Sequence, residues 1–184
     1  LGDNPFLRKA DAGYEKRLKL LSPTDRKALL DGVWELNEGQ YFSEFSRDLH
    51  VVKPYAIPHD WRRCLTIDYG LDMLAALWIA QSPDGHSVVY RELYRPGLII
   101  SNAAAQILAC ETAGERIDCR LAPPDLWNRR QETGRSAVEL FADSGLDFVK
   151  SSNERVAGWL ALHELLMPRK DTDGAVRPRL TIFD

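Results

Sequence analysis

Three short apolar runs follow one another with almost nothing between them, and that spacing leaves few folds open. Residues 64–68 form a run that ends on Asp68, just before Tyr69-Gly70. Residues 73–80 form the second, Pro83-Asp84-Gly85 is a turn signal, and residues 87–93 form the third. Connections this short join antiparallel neighbours, so a β-meander is expected over 64–93. Beyond it the pattern alternates. Helices are expected over 99–113, 135–144 and 153–167, interleaved with strands over 117–122, 147–150 and 180–183. The order βββαβαβαβ predicts an α/β fold, a mixed sheet with helices on its faces. Val156, Trp159, Leu160, Leu162, Leu165 and Leu166 mark the apolar side of the last helix. Trp34, Trp78 and Trp159 read as core anchors, while Trp127, beside Asp125, suits either packing under a loop or stacking on an unpaired base.

The N-terminal third has a different texture. Tyr14, Leu18 and Leu21 have helical spacing, and Ser22-Pro23 starts a second helix that Asp31-Gly32 stops. Four aromatics between 32 and 45 surround Glu38-Gly39 and read as extended pieces about a turn. Two prolines within 54–59 place the expected boundary there, dividing a linker segment, 1–59, from the main domain, 60–184. A chain of 184 residues suits one globular domain. Leu1 in the place of an initiator Met gives the expectation that it is cut from something longer.

Composition removes several classes. The longest strongly apolar stretch, 73–80, is too short to span a bilayer, so no membrane partner is expected. Cys64, Cys110 and Cys119 have neither the spacing of a zinc site nor that of a disulfide framework, which points to a reducing, cytoplasmic setting. His50, His59, His86 and His163 are scattered, without metal-ligand spacing. The net charge of −3 argues against bulk electrostatic binding of nucleic acid. From Asp60 onward, however, 13 of the basic residues are arginines, whose planar fork suits phosphate. An acidic domain that handles DNA would need its negative charge gathered at a metal site.

Two aspartates fit that requirement. Asp68 closes the first expected strand, and Asp125 follows the fourth after Pro123-Pro124. If those strands are neighbours, both carboxylates emerge at the sheet edge where open α/β sheets place ligands. Gathered carboxylates repel one another unless hard cations such as Mg2+ or Mn2+ neutralise them. An Asp ending a strand also commonly caps a turn, and spacing alone leaves both readings open.

Five segments, in order, resemble one family. "GDNPFL" at 2–7, "LLDGVWELNEGQYFSEF" at 29–45, "LTIDYGLD" at 65–72, "APPDLWNRR" at 122–130 and "SNERVAGWLALHELL" at 152–166 are similar to the linker and nuclease region of tailed-phage and prophage terminase large subunits. The resemblance implies an RNase H-like nuclease domain. It would cleave concatemeric double-stranded DNA during genome packaging, by two-metal, in-line phosphodiester hydrolysis with Mg2+ or Mn2+. It makes Asp68 and Asp125 metal ligands and catalytic residues, with Asp72 and Glu92 as second-rank candidates. Arg129, Arg130, Arg135, Lys150 and Arg155 are the candidate DNA contacts. The small terminase subunit and the capsid portal are the implied partners, and the bacterial host cytoplasm the implied location. Two family features are missing from the sequence: a Walker A phosphate loop, and a "DHxxD"-like motif carrying a third acidic ligand. Two other readings remain compatible, namely another RNase H-like nuclease or resolvase, and a non-catalytic module that docks on DNA or the portal.

Overall fold

Strict alternation along one strand organises the molecule. In a computed structural model, which describes residues 41–170 and 174–184, Met73–Gln81 (β3) buries Leu74, Ala76, Trp78 and Ala80 completely while the intervening residues stay half-exposed. Such a period of two gives a strand one wet and one dry face. β3 pairs antiparallel with Arg62–Tyr69 (β2) on one side and with Ser87–Pro96 (β4) on the other, which is the expected meander. The turn between β3 and β4 needs Gly85, whose φ of +89° disfavours any residue with a Cβ.

Glu44–Asp184 form one compact unit. It begins with a single helical turn, Arg47–His50 (α1), and a two-residue strand, Val51–Val52 (β1). After the meander come Ile100–Cys110 (α2), Cys119–Ala122 (β5), a 3-10 turn at Pro124–Trp127, Ala137–Asp143 (α3) and Val149–Lys150 (β6). Arg155–Leu166 (α4), a small hairpin of Arg169–Lys170 (β7) and Val176–Arg177 (β8), and Leu180–Phe183 (β9) complete the order. The main sheet runs β1-β9-β4-β3-β2-β5-β6, and β3 alone runs against the rest. The expected βββαβαβαβ order is present, with β1 and the β7–β8 hairpin added to it.

The dry face of the meander presents Leu65, Ile67, Leu74, Trp78 and Leu93, and α2 and α3 cover it with Ala103, Ala104, Ile107 and Phe141. Alanines at 103 and 104 let α2 lie close to the strands, and each large side chain buried here stabilises the fold by about 1.5–3 kcal/mol. Ser136 caps α3 in a reciprocal box: its hydroxyl accepts from the Glu139 amide while the Glu139 carboxylate accepts from the Ser136 amide. His50 is fully buried, with Nε2 2.9 Å from the Leu166 carbonyl oxygen, and so joins α1 to the end of α4.

Two expectations are corrected. In α4 only Leu166 is buried; Val156, Trp159 and Leu160 are substantially exposed, so Trp159 is not a core anchor. Apolar residues lie on nearly every side of that helix, and its periodicity does not define a face. The cysteines also differ from expectation, because Cys64 and Cys119 are joined in a disulfide. They are register partners on parallel strands, 55 residues apart in sequence, and sequence spacing carries no trace of that adjacency. The compartment inferred from unpaired cysteines therefore loses that support. No helix among the described residues is long and apolar enough to cross a membrane. Trp34 and the features expected over 1–40 lie outside the described residues.

Candidate metal centre

β2 and β5 are parallel neighbours, registered from Cys64↔Cys119 to Thr66↔Leu121. Asp68 lies two residues beyond that last pair and Asp125 four beyond it, so both reach the same sheet edge, as the sequence led one to expect. Local chemistry positions each. Along β2 the buried Leu65 and Ile67 fix the alternation, which puts Asp68 on the wet face. β5 stops because Pro123 and Pro124 have no amide to donate to a ladder. The chain then makes its 3-10 turn, tied by the Leu126 amide to the Pro123 carbonyl (3.2 Å) and the Asn128 amide to the Asp125 carbonyl (3.0 Å). Leu126 is buried and anchors the turn, leaving Asp125 exposed.

The surroundings are well tied. The Tyr69 hydroxyl donates to the Leu98 carbonyl (2.8 Å), and its ring packs edge-on against Phe141. Burial raises the Tyr69 phenol above its ordinary pKa, against a smaller opposing pull from Arg130, so the hydroxyl remains a donor. The Gly70 amide bonds the Met73 carbonyl (2.9 Å), and the Gly97 amide bonds the Asp72 carbonyl (3.0 Å), locking the β2–β3 turn to the loop after β4. Between these loops and the 3-10 turn lies a cleft of about 530 Å3 whose lining includes Tyr69, Asp125, Asn128, Arg129 and Arg130.

The other sequence candidates fall in different places. Asp72 is exposed in the turn and contributes its carbonyl to the loop lock. Glu92 shares the wet face with Asp68, in the row Thr66–Leu77–Glu92 next to the row Asp68–Ala75–Tyr94. It is two strands away, about 10 Å across the sheet. Arg129 and Arg130 line the cleft, with Arg129 3.8 Å from the Glu139 carboxylate. Arg135 does not line it and is ion-paired with Asp143 at 2.7 Å. The Lys150 ammonium lies 5.1 Å over the Trp127 ring, and Arg155 opens α4; neither lines the cleft. Trp127 packs against the core, which favours the loop-packing role. Sequence reasoning passed over two rim residues, Leu71 and Ile99, the first of them an apolar side chain set between Gly70 and Asp72 in a turn.

Electrostatically, the site is defined by what its acids lack. Among the described residues, the side chains of Asp68, Asp72, Glu92 and Asp125 make neither a hydrogen bond nor an ion pair. Nor do any three His, Cys, Asp or Glu among those residues converge closely enough to hold a metal ion. The donor chemistry of Asp68 and Asp125 suits a hard divalent cation, with two carboxylates uncommitted to other partners and the remaining positions left to water or phosphate oxygen.

No family model and no curated protein sequence matches the chain. Solved structures do resemble it. The nuclease domain of the P22 large terminase superposes with a TM-score of 0.59 at 15% identity, over 80% of this chain and 73% of that one. The large terminase of a thermophilic bacteriophage, in complex with ADP, gives 0.60 at 15% identity, over 95% of this chain and 41% of that one. The same phage protein in complex with ATP-gamma-S gives 0.60 at 14% identity, over 100% of this chain and 42% of that one. The chain thus spans about three quarters of the P22 domain and about two fifths of the thermophilic phage's protein. At these identities the shared property is the fold: an RNase H-like mixed sheet flanked by helices, similar to the nuclease domains of terminase large subunits.

Proposed function

We propose that this chain is the nuclease domain of a phage or prophage terminase large subunit, an endonuclease that cuts concatemeric double-stranded DNA during packaging. The observation that carries the reading is the pair of uncommitted carboxylates, Asp68 and Asp125, at the ends of adjacent parallel strands, with Asp125 lining an arginine-bearing cleft that Asp68 does not itself line. The terminase-like fold supports it. An exposed carboxylate without a protein partner is hydrated, and at the sheet edge where α/β folds place ligands it is free to exchange that water for a cation.

In this reading Asp68 and Asp125 hold Mg2+ or Mn2+. When bound, such a cation supplies Lewis acidity toward the phosphodiester and lowers the pKa of water. The chain's own groups do the rest. Arg129 and Arg130 grip backbone phosphates and set the duplex against the edge. Tyr69, held neutral and bonded to Leu98, fixes the loop that carries Leu71 and Asp72. The small terminase subunit, the portal and the host cytoplasm belong to the same proposal.

Supercoiled plasmid incubated with the chain in Mg2+ or Mn2+ is expected to be nicked, with no product when the metal is chelated. Intact plasmid in both metals, with the protein folded, would overturn the nuclease assignment. Because no third acid joins the pair among the described residues, a docking module is the competing reading. Duplex binding that persists without any nicking would favour it.

A further inference from the structure

Two large aliphatic side chains stand in water at the mouth of the cleft. Leu71 is 94% exposed at the tip of the β2–β3 turn, and Ile99 is 65% exposed just before α2. Single exposed apolar residues are ordinary and need no explanation. These two differ because they border the same cleft as Asp125, Arg129 and Arg130, and because their loops are fastened to each other. The Gly97 amide holds the Asp72 carbonyl, the Tyr69 hydroxyl holds the Leu98 carbonyl, and the Ile99 carbonyl accepts from the Ala103 amide inside α2. Neither side chain folds back onto the core, so the loops keep them presented outward.

We propose that Leu71 and Ile99 form an apolar wedge that enters between base pairs of a bound duplex and unstacks the step beside the carboxylate edge. The cleft's charge selects this occupant. Guanidinium groups at Arg129 and Arg130 outnumber the one carboxylate, Asp125, that lines the cleft with them and so attract a polyanion, and an aliphatic tip next to phosphate grips suits a base stack, which is apolar on its faces and flanked by a charged backbone. Leu and Ile are among the side chains that wedge into base steps in DNA-bending proteins. The wedge rests on the nuclease reading and adds to it a positioning function. It opens the duplex locally and favours pyrimidine–purine steps, which unstack most readily.

The test uses the full chain in a chelator, so that no cutting occurs, with duplexes carrying 2-aminopurine at a TA step. Binding is followed by anisotropy, and unstacking by 2-aminopurine fluorescence at saturation. The native chain is expected to bind and raise the fluorescence, more at a TA step than inside an A-tract. The double variant Leu71→Ser/Ile99→Ser, not lowered in thermal stability because both positions are exposed and Ser suits the N-cap that Ile99 occupies on α2, is expected to bind and to lose the rise. Native binding without a rise, or a rise kept by the double variant, overturns the wedge and leaves the nuclease reading standing. No binding by the native chain overturns the wedge, while the nuclease reading stands or falls by the nicking assay in Mg2+ or Mn2+.

Discussion

The two ends of the central sheet treat their acids in opposite ways. At the end where β2 and β5 begin, three carboxylates are fastened, those of Glu111, Glu115 and Asp118. Asp118 accepts from the Arg63 amide (2.9 Å) and from Arg116 (2.8 Å), and these hold its pKa below the ordinary range. Burial opposes the charge on Glu115, yet the Thr112 amide, Arg91 and Tyr90 together still keep its pKa low. Glu111 takes Arg120 at 2.7 Å. At the end where the same strands finish, Asp68 and Asp125 have no such partners among the described residues. The fastened acids are already neutralised by the chain, whereas Asp68 and Asp125 retain charge to offer a cation. Both kinds are read as D or E in the sequence; the partners alone separate them.

The sharpest way to break this contrast is to neutralise one acid at each end. Asp68→Asn or Asp125→Asn is expected to reduce metal-supported nicking on the order of 100-fold or more, since even outer partners of metal ligands are worth about 10–100-fold. Chemical unfolding should move by no more than about 0.5 kcal/mol, as for other exposed sites without partners. A large loss of stability in Asp68→Asn would instead make it a structural cap. Glu115→Ala should do the reverse. It leaves the Tyr90 hydroxyl and Arg91 guanidinium without their acceptor and is expected to cost about 2–3 kcal/mol. That corresponds to a fall of about 5–10 °C in Tm, with nicking retained at temperatures where the protein stays folded.

Titration probes the fastened end without mutation. Because folding depresses the pKa of Asp118 and Glu115, their contribution is fully present above the ordinary carboxylate range and is lost as pH falls through the depressed values. Urea unfolding followed from pH 7 downward should therefore show stability falling below about pH 4. A separate, smaller loss is expected near pH 6.5. Burial pushes the His86 imidazole below its ordinary pKa, so the unfolded chain binds that proton first and acidification favours unfolding. His86→Asn should flatten the upper step and leave the lower one.

Most of the sheet is legible in the sequence because it rests on local signals. The 73–80 run, Pro83-Asp84-Gly85 and the strand 180–183 are all present, and Pro123-Pro124 marks where β5 ends. What escapes is whatever depends on register between distant strands. The Cys64–Cys119 bond joins residues that sequence separates by 55, and β9 reaches its place beside β4 through a topology that no local pattern encodes. The reading of α4 fails for another reason: a helix apolar on most sides gives no direction for burial, and Val156 and Trp159 end outside the core. The strand-end positions of Asp68 and Asp125 were legible in the sequence, though position alone does not tell a ligand from a turn cap. Arg129 and Arg130 could not be told from Arg135 until their partners were visible.

That last distinction gives the finest comparison. Arg129 and Arg130 line the cleft, Arg129 in a loose ion pair with Glu139 at 3.8 Å, whereas Arg135 is committed to Asp143 at 2.7 Å and to the Glu139 carbonyl. A basic residue that touches phosphate displaces counterions, and its removal lowers the salt slope of duplex binding by about 1. Arg129→Gln and Arg130→Gln are each expected to do so, weakening binding similarly across sequences. Arg135→Gln should leave the slope unchanged and appear only as a small loss of stability at the start of α3, within about 1 kcal/mol for a surface ion pair. Affinity measured between low and moderate salt for the three variants checks this ranking. A slope left unchanged by Arg129→Gln and by Arg130→Gln would mean that the cleft does not face DNA, and the division between committed and available charge would then hold for the acids alone.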